Sequence, residues 1–128
     1  MPHFVVDKVQ NALNDAGKPV KGSRILVVGV SYKRDIDDMR ESPALDVMML
    51  LQRRGGIVSY TDPFVPSMRL DGERMSSVPL ESAADADCAV IITDHKAFDY
   101  QLLLDKAPLI VDSRNALKGV QSPKIVRL

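Results

Sequence analysis

Hydrophobic residues along the chain follow two patterns, one with helical spacing and one of short continuous runs. Near the start, Val5, Val9, Ala12 and Leu13 recur at the spacing of one helix face, which predicts a helix over residues 3–16. Continuous apolar runs are typical of strands buried on both faces of a parallel sheet. They predict strands at 24–30, 57–61, 88–93, 109–112 and 124–127.

Helix signals separate several of these predicted strands. The Ser-Pro pair at 42–43 is a good helix entry, because proline at the first helical position lacks only a donor that has no helical partner. The glycine pair at 55–56 ends that helix. We also predict a helix over 98–106, one or two helical turns within 79–86 and a short strand near 76–78. This alternation predicts an α/β fold, a Rossmann-like three-layer αβα sandwich with a mostly parallel sheet, preceded by one extra helix.

The extra helix predicts how the chain is divided. A Rossmann-type unit normally opens with its first strand, so we interpret residues 1–20 as a linker helix from a longer protein and 21–128 as a ligand-binding domain. On this hypothesis Met1 is an internal methionine of a longer protein. The alternative is a leading helix that packs on its own domain.

Charge and composition narrow the class of protein. The 17 basic residues balance 17 acidic ones, so no broad positive field favours nucleic acid or an anionic membrane. No apolar run reaches the roughly 20 residues of a membrane span. The single cysteine, Cys88, excludes a disulfide framework and opens an apolar strand, where a thiol is usually inert packing. With only two histidines, far apart, we expect no metal site in a cytoplasmic protein.

The connection after the first strand is the best candidate for chemistry. Residues 31–40 carry six charged side chains, and loops of that length in α/β units are often functional, although a long solvated loop is the alternative. Gly29 is followed by Val30, Ser31 and Tyr32, so the second and third glycines of the dinucleotide fingerprint are missing. We therefore expect no nicotinamide dinucleotide there, and interpret Gly29 as allowing close packing at a strand end.

Three further polar residues follow predicted strands at the edge where ligands bind in such sheets. Asp62 stands where a ribose-binding acid would lie, but its neighbour Pro63 favours a turn cap. His95 is either a binding contact or a surface or helix-capping residue. Arg114 offers fork-shaped donors to a phosphate or to sugar hydroxyls, with a surface salt bridge as the alternative.

Residues 25–44 read Ile-Leu-Val-Val-Gly-Val-Ser-Tyr-Lys-Arg-Asp-Ile-Asp-Asp-Met-Arg-Glu-Ser-Pro-Ala. This stretch resembles the hallmark of the UDP-glucose/GDP-mannose dehydrogenase family, in which an apolar strand is followed by Gly, an aromatic-Lys pair, Asp and Asp-x-Arg-Glu-Ser-Pro. Weaker matches follow in the right order, Tyr-Thr-Asp-Pro at 60–63, Val-Ile-Ile-Thr-Asp-His at 90–95 and Val-Asp-Ser-Arg-Asn at 111–115. The resemblance covers nearly all of the chain, and it implies that residues 1–20 are the end of the family's central helical region.

The resemblance implies a role in a larger enzyme. The family oxidises the C6 hydroxyl of a nucleotide sugar to a carboxylate with NAD, and this sequence matches only its carboxy-terminal UDP-sugar-binding domain. By position, Tyr32 and Lys33 would contact the nucleotide sugar and Arg114 would bind its sugar-nucleotide moiety. Arg40 would reach NAD, which the missing amino-terminal domain mainly binds. No residue here matches the catalytic cysteine, so we expect binding without catalysis.

The resemblance also implies the substrate class and the partners. We prefer UDP over GDP as the nucleotide, with UDP-glucose or a UDP-N-acetylhexosamine as the sugar, in polysaccharide precursor synthesis. The implied partners are a UDP-sugar, the rest of the polypeptide and a second copy in a full-length homodimer. A stand-alone Rossmann-like nucleotide-binding or interaction module is the alternative function.

Overall fold

Five parallel strands form the central sheet, in the spatial order β2-β1-β5-β6-β7. The structure, a computed structural model, describes residues 2–31 and 42–127. The helices are α1 (Pro2–Asp15), α2 (Pro43–Arg53) and α3 (Tyr100–Lys106), with a 3₁₀ helix over Leu80–Asp85. The strands are β1 (Arg24–Val28), β2 (Ile57–Thr61), β3 (Ser67–Leu70), β4 (Glu73–Ser76), β5 (Cys88–Ile91), β6 (Ile110–Asp112) and β7 (Ile125–Arg127).

The strand order places a switch point between β1 and β5. From β1 the chain moves outward to β2, then returns to pair β5 with the other side of β1 and continues outward through β6 and β7. Among the strands of this sheet the order is thus 2-1-3-4-5, one of the two common doubly wound arrangements. In such sheets the crevice beyond the carboxyl ends of the two strands at the switch point is the usual ligand site.

Helices cover both faces of the sheet. Side chains alternate along β1, so that Ile25 and Val27 point into a core shared with α1 and α2, whereas Leu26 and Val28 point into a second core shared with the 3₁₀ helix and α3. All four of these side chains are fully buried. The predicted α/β fold, a three-layer αβα sandwich with an additional leading helix, is confirmed.

The leading helix α1 is part of the first core. Val6, Val9 and Leu13 are fully buried, and they belong to the same cluster of buried residues as α2 and the sheet. Arg54, just after α2, donates hydrogen bonds to Gln10 and Asp7 of α1. The division into 1–20 and 21–128 stays a prediction, because a helix that continues from a preceding segment would pack here in the same way.

The segment between β2 and the 3₁₀ helix differs from the prediction. It contains an antiparallel hairpin of β3 and β4, which pair from Ser67 opposite Ser76 to Leu70 opposite Glu73. Asp71 and Gly72 form its two-residue turn with φ of 52° and 82°, the conformation for which Asp-Gly is favoured. The short strand predicted near 76–78 is present as β4, but it begins three residues earlier and ends at Ser76.

Candidate functional site

The carboxyl ends of β1 and β5 approach each other closely at the switch point. Gly29 has a φ of 83°, and a Cβ at that position would lie 2.2 Å from the carbonyl oxygen of Thr93. Only glycine fits both this backbone conformation and this contact. The interpretation of Gly29 as a close-packing residue is therefore confirmed.

Asp62 is the acceptor at the centre of the polar contacts at this edge. It follows β2 and is 2% exposed. Its Oδ2 accepts hydrogen bonds from the backbone N–H groups of Val30 (2.8 Å) and Ser31 (3.2 Å), and its Oδ1 accepts one from Phe64 N–H at 2.8 Å. The predicted turn cap is confirmed by the Phe64 bond, whereas its burial leaves Asp62 no access to a ribose.

His95 is the fourth partner of the Asp62 carboxylate. Its Nε2 lies 2.9 Å from Asp62 Oδ2 and 3.0 Å from Ser31 Oγ, and the side chain is fully buried. The ring lies between those of Phe64 and Phe98, with centroid separations of 4.9 and 5.4 Å. Since the carboxylate can only accept, Nε2 carries the proton in the Asp62 contact. The expectation of a surface or helix-capping histidine was wrong, because the side chain is fully buried between these two rings.

The residues on both sides of segment 32–41 make buried hydrogen bonds. Thr93 Oγ1 donates to the carbonyl oxygen of Ser31 at 2.7 Å. Ser42 Oγ donates to the carbonyl oxygen of Val30 at 2.5 Å and accepts from Ala44 N–H, which makes it the N-cap of α2. Val30 is thus hydrogen-bonded to Ser42 across the segment, and Ser31 is hydrogen-bonded to residues at the ends of β2 and β5.

Arg114 lies at the same edge of the sheet, beyond β6. It is exposed and lines an open cavity of about 520 Å³ together with Ser113, Asn115 and Arg127. Asp112 orders the turn, because its carboxylate accepts from the backbone N–H groups of Arg114, Ala116 and Leu117. Within residues 2–31 and 42–127 no carboxylate pairs with the Arg114 guanidinium, so the alternative of a surface salt bridge has no partner there.

Burial holds the thiol of Cys88 and the phenol of Tyr60 in their neutral forms. Burial, with a smaller contribution from the charge of Asp87, raises the pKa of the Cys88 thiol to about 12. Burial and the charge of Asp62 also raise the pKa of Tyr60, whose hydroxyl donates to the carbonyl oxygen of Val65. The interpretation of Cys88 as inert packing agrees with its full burial.

Three of the predicted site residues, Tyr32, Lys33 and Arg40, lie outside the described residues, and Arg114 alone is placed by the structure. Sequence reasoning missed the joint role of Ser31, Thr93 and His95. A signal was present, because polar residues follow each of two strands that a doubly wound sheet places side by side.

Two further features are absent from the part of the chain that the structure describes. No group of three or more histidine, cysteine or acidic side chains is arranged to hold a metal ion there. The same residues contain no helix with the length and apolar character needed to cross a bilayer.

Comparison with known proteins places this geometry in a family. Residues 26–119 match the family model described as the UDP binding domain of the UDP-glucose/GDP-mannose dehydrogenase family. A UDP-glucose 6-dehydrogenase of Rhizobium meliloti is 41% identical over 108 residues, which cover 78% of this chain and 25% of that protein. A UDP-N-acetyl-D-mannosamine dehydrogenase of Methanococcus maripaludis is 35% identical over 98 residues, which cover 77% of this chain and 22% of that protein.

A solved structure agrees with these matches. The UDP-D-ManNAc dehydrogenase of Pyrococcus horikoshii superposes with a TM-score of 0.81 at 26% identity, over 99% of this chain and 30% of that one. The chain therefore spans about a quarter of the length of the curated relatives. The matched region contains the carboxyl ends of both strands of the switch point, and this chain belongs to the UDP-glucose/GDP-mannose dehydrogenase family, as its UDP binding domain.

Proposed function

We propose that this chain binds the nucleotide part of a UDP-sugar at the switch-point edge, as one part of an NAD-dependent 6-dehydrogenase. The parent enzyme would oxidise the C6 hydroxyl of UDP-glucose or of a UDP-N-acetylhexosamine to a carboxylate, for polysaccharide precursor synthesis. Relatives named for both kinds of sugar match this chain, at 41% and 35% identity. We therefore propose the sugar only as glucose or an N-acetylhexosamine.

The proposal rests mainly on the hydrogen bonds that the backbone makes just after β1. A dinucleotide fold offers N–H groups at this turn to a pyrophosphate. Here the N–H groups of Val30 and Ser31 already donate to the buried Asp62 carboxylate. A phosphate placed against them would meet a fixed negative charge, so these residues do not fit NAD bound in the Rossmann manner.

Cationic side chains further along the edge suit a nucleotide diphosphate better. Arg114 is exposed on a turn that Asp112 holds in place, and a guanidinium binds phosphate oxygens in a bidentate manner. Tyr32 and Lys33 would supply the remaining contacts to the nucleotide sugar. NAD would be bound by a part of the enzyme outside this chain, with Arg40 reaching its pyrophosphate from here.

The cellular setting belongs to the same proposal. We propose a cytoplasmic enzyme in which the rest of the polypeptide completes the cleft, and in which two copies form a homodimer. The balance of 17 basic and 17 acidic residues favours neither nucleic acid nor a membrane surface as a partner. This chain alone should produce no NADH from UDP-glucose and NAD.

Titration calorimetry of the 128-residue chain with UDP, UDP-glucose and NAD tests the proposal. We expect UDP and UDP-glucose to bind, Lys33→Ala to abolish binding, and Arg114→Ala to weaken it about ten- to a hundredfold, as for the loss of a charge-assisted hydrogen bond. Lys118→Ala is the matched control, since it removes one exposed positive charge just beyond the same turn. Full-strength NAD binding without UDP binding would contradict the proposal and favour a stand-alone module for another nucleotide.

A further inference from the structure

We infer that five buried polar residues act as a positioning clamp for the segment 32–41 and thereby set the affinity for the nucleotide. We call Ser31, Ser42, Asp62, Thr93 and His95 the polar clamp. This inference rests on the proposed function, because it assigns the affinity of that site to residues that need not touch the ligand.

The clamp joins the two ends of the segment directly. The Ser42 hydroxyl donates to the carbonyl oxygen of Val30, so the N-cap residue of α2 is bonded to a residue just beyond β1. Ser42 is 4% exposed and Val30 is fully buried. A hydrogen bond sheltered from water in this way fixes the distance between the two ends of the segment.

Ser31 contacts three other residues of the clamp through its backbone and its hydroxyl. Its N–H donates to Asp62, its carbonyl oxygen accepts from Thr93, and its hydroxyl lies 3.0 Å from His95 Nε2. These partners come from the ends of β2 and β5, on either side of β1. The backbone that leads into residue 32 is therefore held from both neighbouring strands.

Asp62 and His95 stabilise one another in turn. The carboxylate accepts four hydrogen bonds, from three backbone N–H groups and from His95 Nε2. The histidine ring is wedged between Phe64 and Phe98, which fixes its plane. No polar side-chain atom buried in the described residues lacks a partner, so the clamp carries little penalty for burial.

Such a clamp raises the affinity for the nucleotide by lowering the conformational entropy that is lost on binding. A ligand that meets side chains on a freely moving segment must offset the entropy lost when the segment is fixed. If the ends of 32–41 are fixed before binding, that cost is smaller. Precise placement of contact residues by a second layer of hydrogen bonds is how binding sites are generally kept in register.

Thr93 allows the sharpest test, because valine matches its shape without the hydroxyl. We expect Thr93→Val to weaken UDP binding by calorimetry about three- to tenfold, as for the loss of one hydrogen bond. Thr93→Ser, which keeps the donor to Ser31, should restore most of the affinity. The matched control is Ser23→Ala, which removes a buried hydroxyl bonded to the carbonyl oxygen of Pro19 at the opposite edge of the sheet.

Urea unfolding of the same variants separates positioning from stability. Thr93→Val and Ser23→Ala should lose similar stability, and only Thr93→Val should lose affinity. A second pair tests His95, because glutamine keeps a donor near Nε2 and phenylalanine keeps the ring between Phe64 and Phe98. His95→Gln should bind UDP more tightly than His95→Phe, and the reverse order would show that packing alone matters.

The outcomes distinguish the two proposals. If the unaltered chain fails to bind UDP, the proposed function fails and the inference fails with it. If the unaltered chain binds UDP and Thr93→Val binds equally well, or if Ser23→Ala weakens binding as much, the clamp is overturned while the proposed function stands.

Discussion

At the residue scale, Gly29 and Asp62 together define the end of β1. The positive φ of Gly29 ends the strand two residues before the prediction did, and its lack of a side chain lets β5 approach. Asp62 then accepts the N–H groups that the turned backbone presents. The shape of the edge follows from these two residues.

Replacement of Gly29 by alanine should therefore be strongly destabilising. A Cβ there adds left-handed strain and a contact of 2.2 Å with a backbone oxygen, for an expected loss of about 2–5 kcal/mol in the free energy of unfolding. Gly17→Ala is the control, because Gly17 has a φ of 80° with nothing within 4 Å of its Cβ position, and strain alone should cost about 1–2 kcal/mol. Urea unfolding checks both, and equal losses would show that the Thr93 contact is easily relieved.

Cys88 predicts a pH dependence of stability. Its pKa is about 12 in the folded chain against an ordinary value of 9.0, so the unfolded chain ionises first as the pH rises. The contribution of the protonated Cys88 thiol to the free energy of unfolding is fully present below pH 9 and is lost progressively towards pH 12. Between pH 8 and pH 10 the stability of the wild-type chain should fall by about 1.4 kcal/mol more than that of Cys88→Ala. Parallel urea-unfolding stabilities of the two proteins over this range would contradict the assignment.

At the element scale, α1 closes one face of the sandwich. It packs against α2 and contacts β5 and β6 from the same side. Without it the apolar face over these two strands would be more open to water, since α2 contacts β2 on the other side of β1. The helix is thus a structural part of this unit, whatever precedes it in the chain.

Truncation of a core residue of α1 should reveal this contribution. Leu13 is fully buried, and Leu13→Ala should lower the free energy of unfolding by about 2–5 kcal/mol, as in other cores. The exposed neighbour Asn14 is the control, and Asn14→Ala should change stability by less than about 0.5 kcal/mol. A small effect for both in urea unfolding would mean that α1 docks loosely on the domain.

Elements were predictable where one physical signal dominated. The buried strands carry continuous apolar runs, and α2 carries a serine cap with proline behind it, so these were recovered to within a few residues. The hairpin of β3 and β4 was not, because its strands are short and half exposed and give no clear alternation. Its Asp-Gly turn was the one readable sign.

At the scale of the whole molecule, the fold class followed from the sequence, but the strand order did not. Local patterns say that strands alternate with helices, whereas the return of β5 to β1 depends on contacts between distant residues. The burial of His95 has the same origin, since Asp62 and Ser31 lie 33 and 64 residues away from it. Contacts of this range carry no local signature, so polar residues at the strand ends pointed to this edge, but their pairing in the polar clamp required the three-dimensional structure.

The Asp62 carboxylate also limits how this domain could change by mutation. New glycines after Gly29 would not by themselves create a dinucleotide site, because the N–H groups of Val30 and Ser31 would stay occupied. Loss of Asp62 alone would leave those groups and His95 without their common acceptor, at a cost that a small domain can barely tolerate. The Asp62-bonded turn and the glycine-rich dinucleotide turn can form on the same kind of sheet. A single mutation from one towards the other, such as the loss of Asp62, would give a less stable protein.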